Sequence, residues 1–148
     1  MRALQLLLCA LPAFVLTAQT PKEAESFVKE AVVFVKTNPR EAFINEVNKP
    51  TGRFNFATKK SLYISVYDLE GKVVAHGAKV NVVGVNQINA KDANGKLFVK
   101  ARVDLAKEQG KGWVSYVELD PATKKEEPKT SYIEQAGGLV ISCGVYQK

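Results

Sequence analysis

An α+β domain, with about five antiparallel strands and N-terminal helices packed on one face of the sheet, is predicted by three observations on the sequence. Apolar residues recur at helical spacing over residues 20–47 and again over 96–110. Five short β-prone runs stand at residues 62–67, 73–77, 113–119, 129–135 and 139–146. Turn chemistry separates sequential runs closely enough for hairpins, so most neighbours in sequence become neighbours in the sheet.

Residues 1–18 stand apart from this pattern. Arg2 precedes an apolar run over residues 3–16, and Ala18 offers a small residue before Gln19, the three regions of a secretory signal peptide with cleavage expected after Ala18. The run is shorter than the ~20 apolar residues of a membrane-spanning helix, and Pro12 interrupts it. Cys9 follows Leu8 where lipoprotein processing wants a small residue, so no lipid anchor is expected. The remaining residues, 19–148, suit a single domain with its own core. Export to the periplasm would permit disulfides, but the mature chain keeps Cys143 as its one thiol, and packing must hold the fold unaided. Loss of the charge at Arg2 takes the formal net charge from +6 to +5, a mild excess carried mainly by lysine. No Arg-rich run interleaved with aromatics occurs, and export argues against a nucleic-acid partner.

The first helix has its start written out in Thr20-Pro21-Lys22-Glu23, with a capping hydroxyl, proline at the first helical position and a glutamate three residues on to bond back. Phe27, Val28, Ala31, Val32, Phe34 and Val35 form its apolar stripe. Asn38-Pro39-Arg40-Glu41 repeats the start signal, and a second helix carries Ala42, Phe43 and Val47 inward before Asn48-Lys49-Pro50-Thr51-Gly52 ends it. Residues 53–60 read as an ill-defined connection, an edge strand or a loop around Phe54 and Phe56.

The central hairpin, residues 62–77, reads L-Y-I-S-V-Y-D-L-E-G-K-V-V-A-H-G. Leu62, Ile64 and Val66 alternate with Tyr63, Ser65 and Tyr67, sending one set to each face. In D-L-E-G, Gly71 suits a turn residue with positive φ. The register stays open: a turn of three residues puts His76, the lone histidine, on the Ile64 and Val66 face, and a turn of two puts it with Tyr63, Ser65 and Tyr67. Residues 78–94 lack a sustained period and read as a lid-like loop closed by Asp92-Ala93-Asn94-Gly95. A third helix carries Leu97, Phe98, Ala101, Leu105 and Ala106 until Gly110 and Gly112 stop it. The strand at 113–119, a charged solvated loop over 124–128, the strand at 129–135 and a Gly137-Gly138 turn lead into the last strand, where Leu139, Ile141, Cys143 and Val145 share a face.

The hairpin together with G-K-L-F-V-K, G-W-V-S-Y, E-P-K-T-S-Y and S-C-G-V-Y, in that order, resembles a single Cache domain of the second subgroup, the PAS-like extracytoplasmic ligand-binding domains of bacterial sensor proteins. The resemblance runs over residues 23–146. It implies a long helix on one face of a five-stranded antiparallel sheet and a small-molecule pocket on the other, with acetate, propionate, pyruvate or lactate as the ligand class. The departure is architectural: the expected relatives carry flanking membrane helices and signalling modules, and this chain resembles the freestanding exported form, so either a separate partner, such as a membrane receptor, carries the signal or there is no signalling at all.

By the same resemblance, the candidate ligand-binding residues are Tyr67, His76, Trp113, Tyr116, Lys129 and Tyr132. A short carboxylate needs a cation, neutral donors and an apolar wall, which lysine, the tyrosine hydroxyls with histidine, and tryptophan supply in turn. Trp113 and Tyr116 are three apart, as are Lys129 and Tyr132, so regular strands point the members of each pair to opposite faces, and not all six can line one pocket unless a bulge or strand end intervenes. Tyr63 and Tyr67 also read as cross-strand aromatic neighbours. One histidine, one mature cysteine and no G-x-S-x-G leave no evident nucleophile pair and no closed zinc site; neither enzymatic activity nor a cofactor is expected. Asp68 with Glu70 is turn chemistry, and Cys143 reads as inert core. The alternative to a ligand-binding module is an exported accessory protein that docks a membrane receptor or redox complex and has no ligand of its own.

Overall fold

The computed structural model describes residues 19–59 and 61–147. The expected signal peptide at 1–18 lies outside the described residues. Helix α1, Pro21–Thr37, begins on the predicted capping box: the Thr20 hydroxyl accepts from the Glu23 amide at 3.2 Å, and the Glu23 carboxylate accepts from the Thr20 amide at 2.6 Å. Helix α2, Arg40–Asn48, follows across Asn38 and Pro39, which hold extended backbone between the two.

The connection over residues 53–59 forms no edge strand. It contains a single helical turn, α3, Phe56–Lys59, and in front of it Phe54 is wholly buried, with ring centroids 5.5 Å from Phe27, 5.6 Å from Phe34 and 5.7 Å from Phe43. Phe54 thereby pins the segment after α2 against both α1 and α2, a burial of the size that outweighs the backbone's freedom to wander.

Five strands follow: β1, Ser65–Asp68; β2, Val73–His76; β3, Lys111–Leu119; β4, Glu126–Ala136; and β5, Leu139–Tyr146. They form one antiparallel sheet in the order β2-β1-β5-β4-β3. β4 starts inside the stretch expected to be a loop. Pro128 is tolerated there because its ring nitrogen faces the side where β5 has already ended, and its carbonyl accepts from the Gln147 amide at 2.8 Å.

Helix α4, Phe98–Gln109, packs on the opposite sheet face from α1 and α2. The N-terminal helices share one face, as the sequence reading placed them, and α4 covers the other. The larger core joins α1 and α2 to Ile64, Val66, Leu139, Ile141, Cys143 and Val145; the smaller joins Val99, Val103 and Ala106 of α4 to Tyr67, Val73, Ile133 and Val140. β5, central and covered on both sides, is buried along nearly its whole length, as a doubly covered strand must be.

The hairpin turn has three residues. Asp68 Oδ1 accepts from the amides of Glu70 and Lys72, and Gly71 sits at φ 87°, where a side chain would also meet Ile88 Cβ at 2.7 Å. A three-residue turn alone would put His76 opposite Ile64. The observed pairs run Tyr67 with Val73, then Val66 with Ala75 and Ser65 with His76, so Val74 is an extra residue, a β-bulge. That bulge moves His76 to the face of Tyr63, Ser65 and Tyr67.

The long loop touches both sheet edges. Residues 84–85 of the long loop exchange backbone hydrogen bonds with Val73, and Asp92 Oδ2 accepts from the Val117 amide on β3 at 3.0 Å. The loop expected to be a lid is thus tied at β2 and at β3, and lies across the mouth of the space beneath α4.

Candidate functional site

Beyond the smaller core, the sheet face under α4 turns polar. Tyr63 ahead of β1, Ser65 and Tyr67 on β1, His76 on β2, Tyr116 and Glu118 on β3, Lys129 and Ser131 on β4, Ser142 and Gly144 on β5, and Arg102 on α4 line an enclosed hollow. Its own side chains fill it, and nowhere is it wide enough for a water molecule. An outer vestibule of about 220 Å³, lined by Lys79, Gln87, Lys91, Asp92 and Glu126 among others, meets it at Tyr67, His76 and Glu118.

Of the six candidates, Tyr67, His76, Tyr116 and Lys129 converge on this hollow. Trp113 and Tyr132 do not, which corrects their placement as pocket residues. They are cross-strand partners, 5.3 Å between ring centroids, on the face that carries α1; Tyr132 is in the larger core and Trp113 stays 41% exposed at the sheet edge. The three-residue spacing decides this, because β3 and β4 pair regularly from Lys111 to Leu119 without a bulge to reset the alternation.

Lys129 is 2% exposed. Its Nζ donates to the Tyr63 hydroxyl at 2.7 Å and to Glu118 Oε2 at 2.8 Å, and lies over the rings of Tyr63 and Tyr146 at 4.5 and 4.6 Å. Gly144 makes room for its stem, since a Cβ there would lie 2.6 Å from Lys129 Cε and collide with Ser131 Oγ. Burial disfavours the ammonium, but Tyr116, Glu118 and Tyr146 outweigh it and hold the pKa above the ordinary lysine value.

Glu118 stands at the junction of hollow and vestibule. Oε2 takes Lys129 and the Tyr63 and Tyr116 hydroxyls, while Oε1 takes Lys79 of the loop at 3.3 Å. Burial would raise its carboxyl; the charges of Lys129, Lys79 and Arg102 overcome that and keep it well below the usual carboxylate range.

Arg102 has no such partner. Its guanidinium lies 4.4 Å from the Tyr116 ring centroid, and Nη1 donates to the Tyr67 hydroxyl at 3.0 Å. Its Nε is buried without a hydrogen bond, and the ion pairs of the site, among the described residues, are those of Glu118 with Lys129 and Lys79. Burial opposes its charge, yet Tyr116, Tyr67 and Glu118 hold it protonated.

His76 is neutral. Its Nδ1 accepts from the backbone amides of Ala78 and Lys79 at 3.2 and 2.9 Å, which leaves the proton on Nε2, and desolvation first of all pushes its pKa down to about 3. An unfolded chain protonates this residue near pH ~6.5 and the folded one does not, so His76 stabilises the fold above that pH and loses its contribution as pH falls toward 3. Between pH 6.5 and 4.5, unfolding free energy should drop by up to ~1.4 kcal/mol per pH unit from this group. His76→Asn, whose amide oxygen can take the same two amides, should flatten that slope in urea titrations across the range.

Sequence reasoning missed Arg102 and Glu118, and both had a signal. Val99, Arg102, Val103 and Ala106 are the buried stripe of α4, at spacings of three, one and three, and the arginine inside it marks a buried cation. Glu118 shares the Tyr116 face by simple alternation. Cys143 carries no chemistry toward the hollow: its side chain packs in the larger core, and burial raises the thiol to about 12. Among the described residues, no group of three or more His, Cys, Asp and Glu side chains is placed to hold a metal ion, and no helix is long and apolar enough to cross a membrane.

A family model described as single Cache domain 2 matches residues 19–148. The fold is similar to a methyl-accepting chemotaxis protein from Vibrio parahaemolyticus, with a TM-score of 0.71 at 21% identity over 84% of this chain and 86% of that one. It is similar also to the periplasmic sensor domain of a chemotaxis protein, TM-score 0.66 at 24% identity over 86% and 90%. A third likeness is to a Cache chemosensory domain solved for its carboxylic acid recognition, TM-score 0.59 at 22% identity over 84% of each chain. These likenesses show the fold.

Proposed function

The chain belongs to the single Cache domain 2 family, and from that premise we propose that it is a non-enzymatic sensory module, exported to the periplasm, that binds a short-chain organic acid of the acetate, propionate, pyruvate or lactate class. The observation that carries the reading is Arg102, a buried guanidinium with an unsatisfied Nε and no carboxylate of its own. Burial of such a charge carries a penalty of several kcal/mol, which the Tyr116 ring and the Tyr67 hydroxyl only offset, whereas an arriving anion would pair with it. A short carboxylate beside Arg102 would find Lys129 as a second cation, the Tyr67 and Tyr116 hydroxyls and His76 Nε2–H as neutral donors, and aromatic rings as walls. The carboxylic acid recognised by a neighbour of the same fold supports that ligand class.

The hollow is closed around its own side chains, so entry must part Tyr67, His76 and Glu118 at the vestibule. Binding then moves the loop that carries Lys79, which is a means of signalling occupancy to a membrane receptor. Thermal unfolding with two- to four-carbon acids tests the reading. An acid at about 100 times its dissociation constant should stabilise the fold by ~2.7 kcal/mol, a Tm rise of roughly 10 °C. No shift across the panel refutes it.

The tight filling of the hollow favours a second reading, an accessory protein that docks a membrane receptor or redox complex without a ligand. One stoichiometric partner recovered from envelope extracts, together with no response to any acid, would establish that reading instead.

A further inference from the structure

We infer that Glu118 sets the charge of the ligand: its carboxylate, held in the hollow between Lys129 and Lys79, leaves the site room for one further negative charge, so that it admits monocarboxylates and rejects dicarboxylates. The inference rests on the acid-binding reading above and deepens it.

Water does not reach the hollow, so its charges must balance among themselves. The ions that line the hollow are Arg102 and Lys129, both buried, and Glu118, whose side chain keeps 16% exposure where the hollow meets the vestibule, two cations against one anion. His76 adds nothing, because its Nδ1 is occupied by two backbone amides, and the remaining polar lining is tyrosine and serine hydroxyl. The vestibule beyond balances itself, with Lys79 and Lys91 against Asp92 and Glu126, and Lys79 keeps a 31% exposed side chain in contact with solvent. The inner site is therefore one positive charge in excess. A monoanion brings it to neutrality with Glu118 still bonded to Lys129. A dianion leaves an uncompensated buried negative charge, repelled by Glu118 at close range, which is discrimination against a wrong ligand by an unpaired charge.

Glu118→Gln removes that charge at constant volume and keeps an oxygen for Lys129 and the tyrosine hydroxyls to bond. The experiment compares acids of equal carbon number, propionate with malonate and butyrate with succinate, by calorimetry at pH 7.5 on the wild-type chain and on Glu118→Gln. The wild type should prefer the monoacid of each pair by about tenfold or more, and Glu118→Gln should narrow or reverse the ratio by a similar factor. A wild type that binds malonate or succinate as tightly as the matched monoacid overturns the inference, whatever the folding of the variant. So does a Glu118→Gln chain that folds and ranks the acids as the wild type does. A wild type that binds propionate with an unchanged ranking in the variant defeats this inference and spares the acid-binding reading; no response of either chain to any acid defeats both.

Discussion

Lys129→Ala should lower the folding stability by about 3–5 kcal/mol and abolish acid binding, the largest loss expected from any single change in the hollow. Lys129 is the partner of Glu118, and its removal leaves a buried carboxylate held by Lys79 at the rim and by two tyrosine hydroxyls. The carboxyl then rises toward protonation, and the Tyr63 hydroxyl loses its 2.7 Å donor. A cavity opens as well between the Tyr63 and Tyr146 rings. Charge and volume can be separated. Lys129→Met keeps most of the volume and should still destabilise, whereas Lys129→Met combined with Glu118→Gln removes both ions and should recover most of the stability without recovering the ligand. Urea unfolding of the three chains, read at constant m, checks this, and a Lys129→Ala cost below about 1 kcal/mol would show that the pair is not strongly coupled.

The parts of this molecule that local rules control were readable beforehand. The capping box at Thr20 and the alternation that sets Leu139, Ile141, Cys143 and Val145 on one face of β5 follow from residues within a few positions of one another. So does the parity that separates Trp113 from Tyr116 and Lys129 from Tyr132. That conflict appears in the spacing itself, and the regular β3–β4 ladder resolves it against Trp113 and Tyr132. The parts that depend on tertiary contact were not readable. Nothing local marks Val74 as a bulge, yet without it His76 would point into the core with Ile64. Phe54 belongs to a segment without periodicity, and only the space between α1 and α2 gives it a place. Which sheet face α4 covers is likewise set by the larger core, already filled by α1 and α2, and that choice brings Arg102 over the polar residues of β1, β3 and β4.

Arg102→Met should behave in the opposite sense to Lys129→Ala: stability without ligand within about 1 kcal/mol of the parent, and affinity for the acid lower by at least about a hundredfold. The magnitudes decide the first half. Burial of the guanidinium carries an effective penalty of several kcal/mol. Against it stand a desolvated cation–π contact with Tyr116, worth ~2 kcal/mol, and a charged hydrogen bond to Tyr67, worth ~1.5–3 kcal/mol. These terms nearly cancel, and methionine adds favourable packing against the Phe98 and Tyr116 rings, which stack 5.2 Å apart. The second half follows from the charge that is lost, because an acid entering a hollow that holds only the paired Lys129 and Glu118 meets no spare cation. Arg102→Lys separates charge from geometry: an ammonium restores the net charge but cannot present two parallel donors, so affinity should return only in part. Thermal unfolding with and without propionate reads both halves at once. A variant that loses several kcal/mol without ligand yet still responds fully to the acid would show that Arg102 holds the fold and not the ligand.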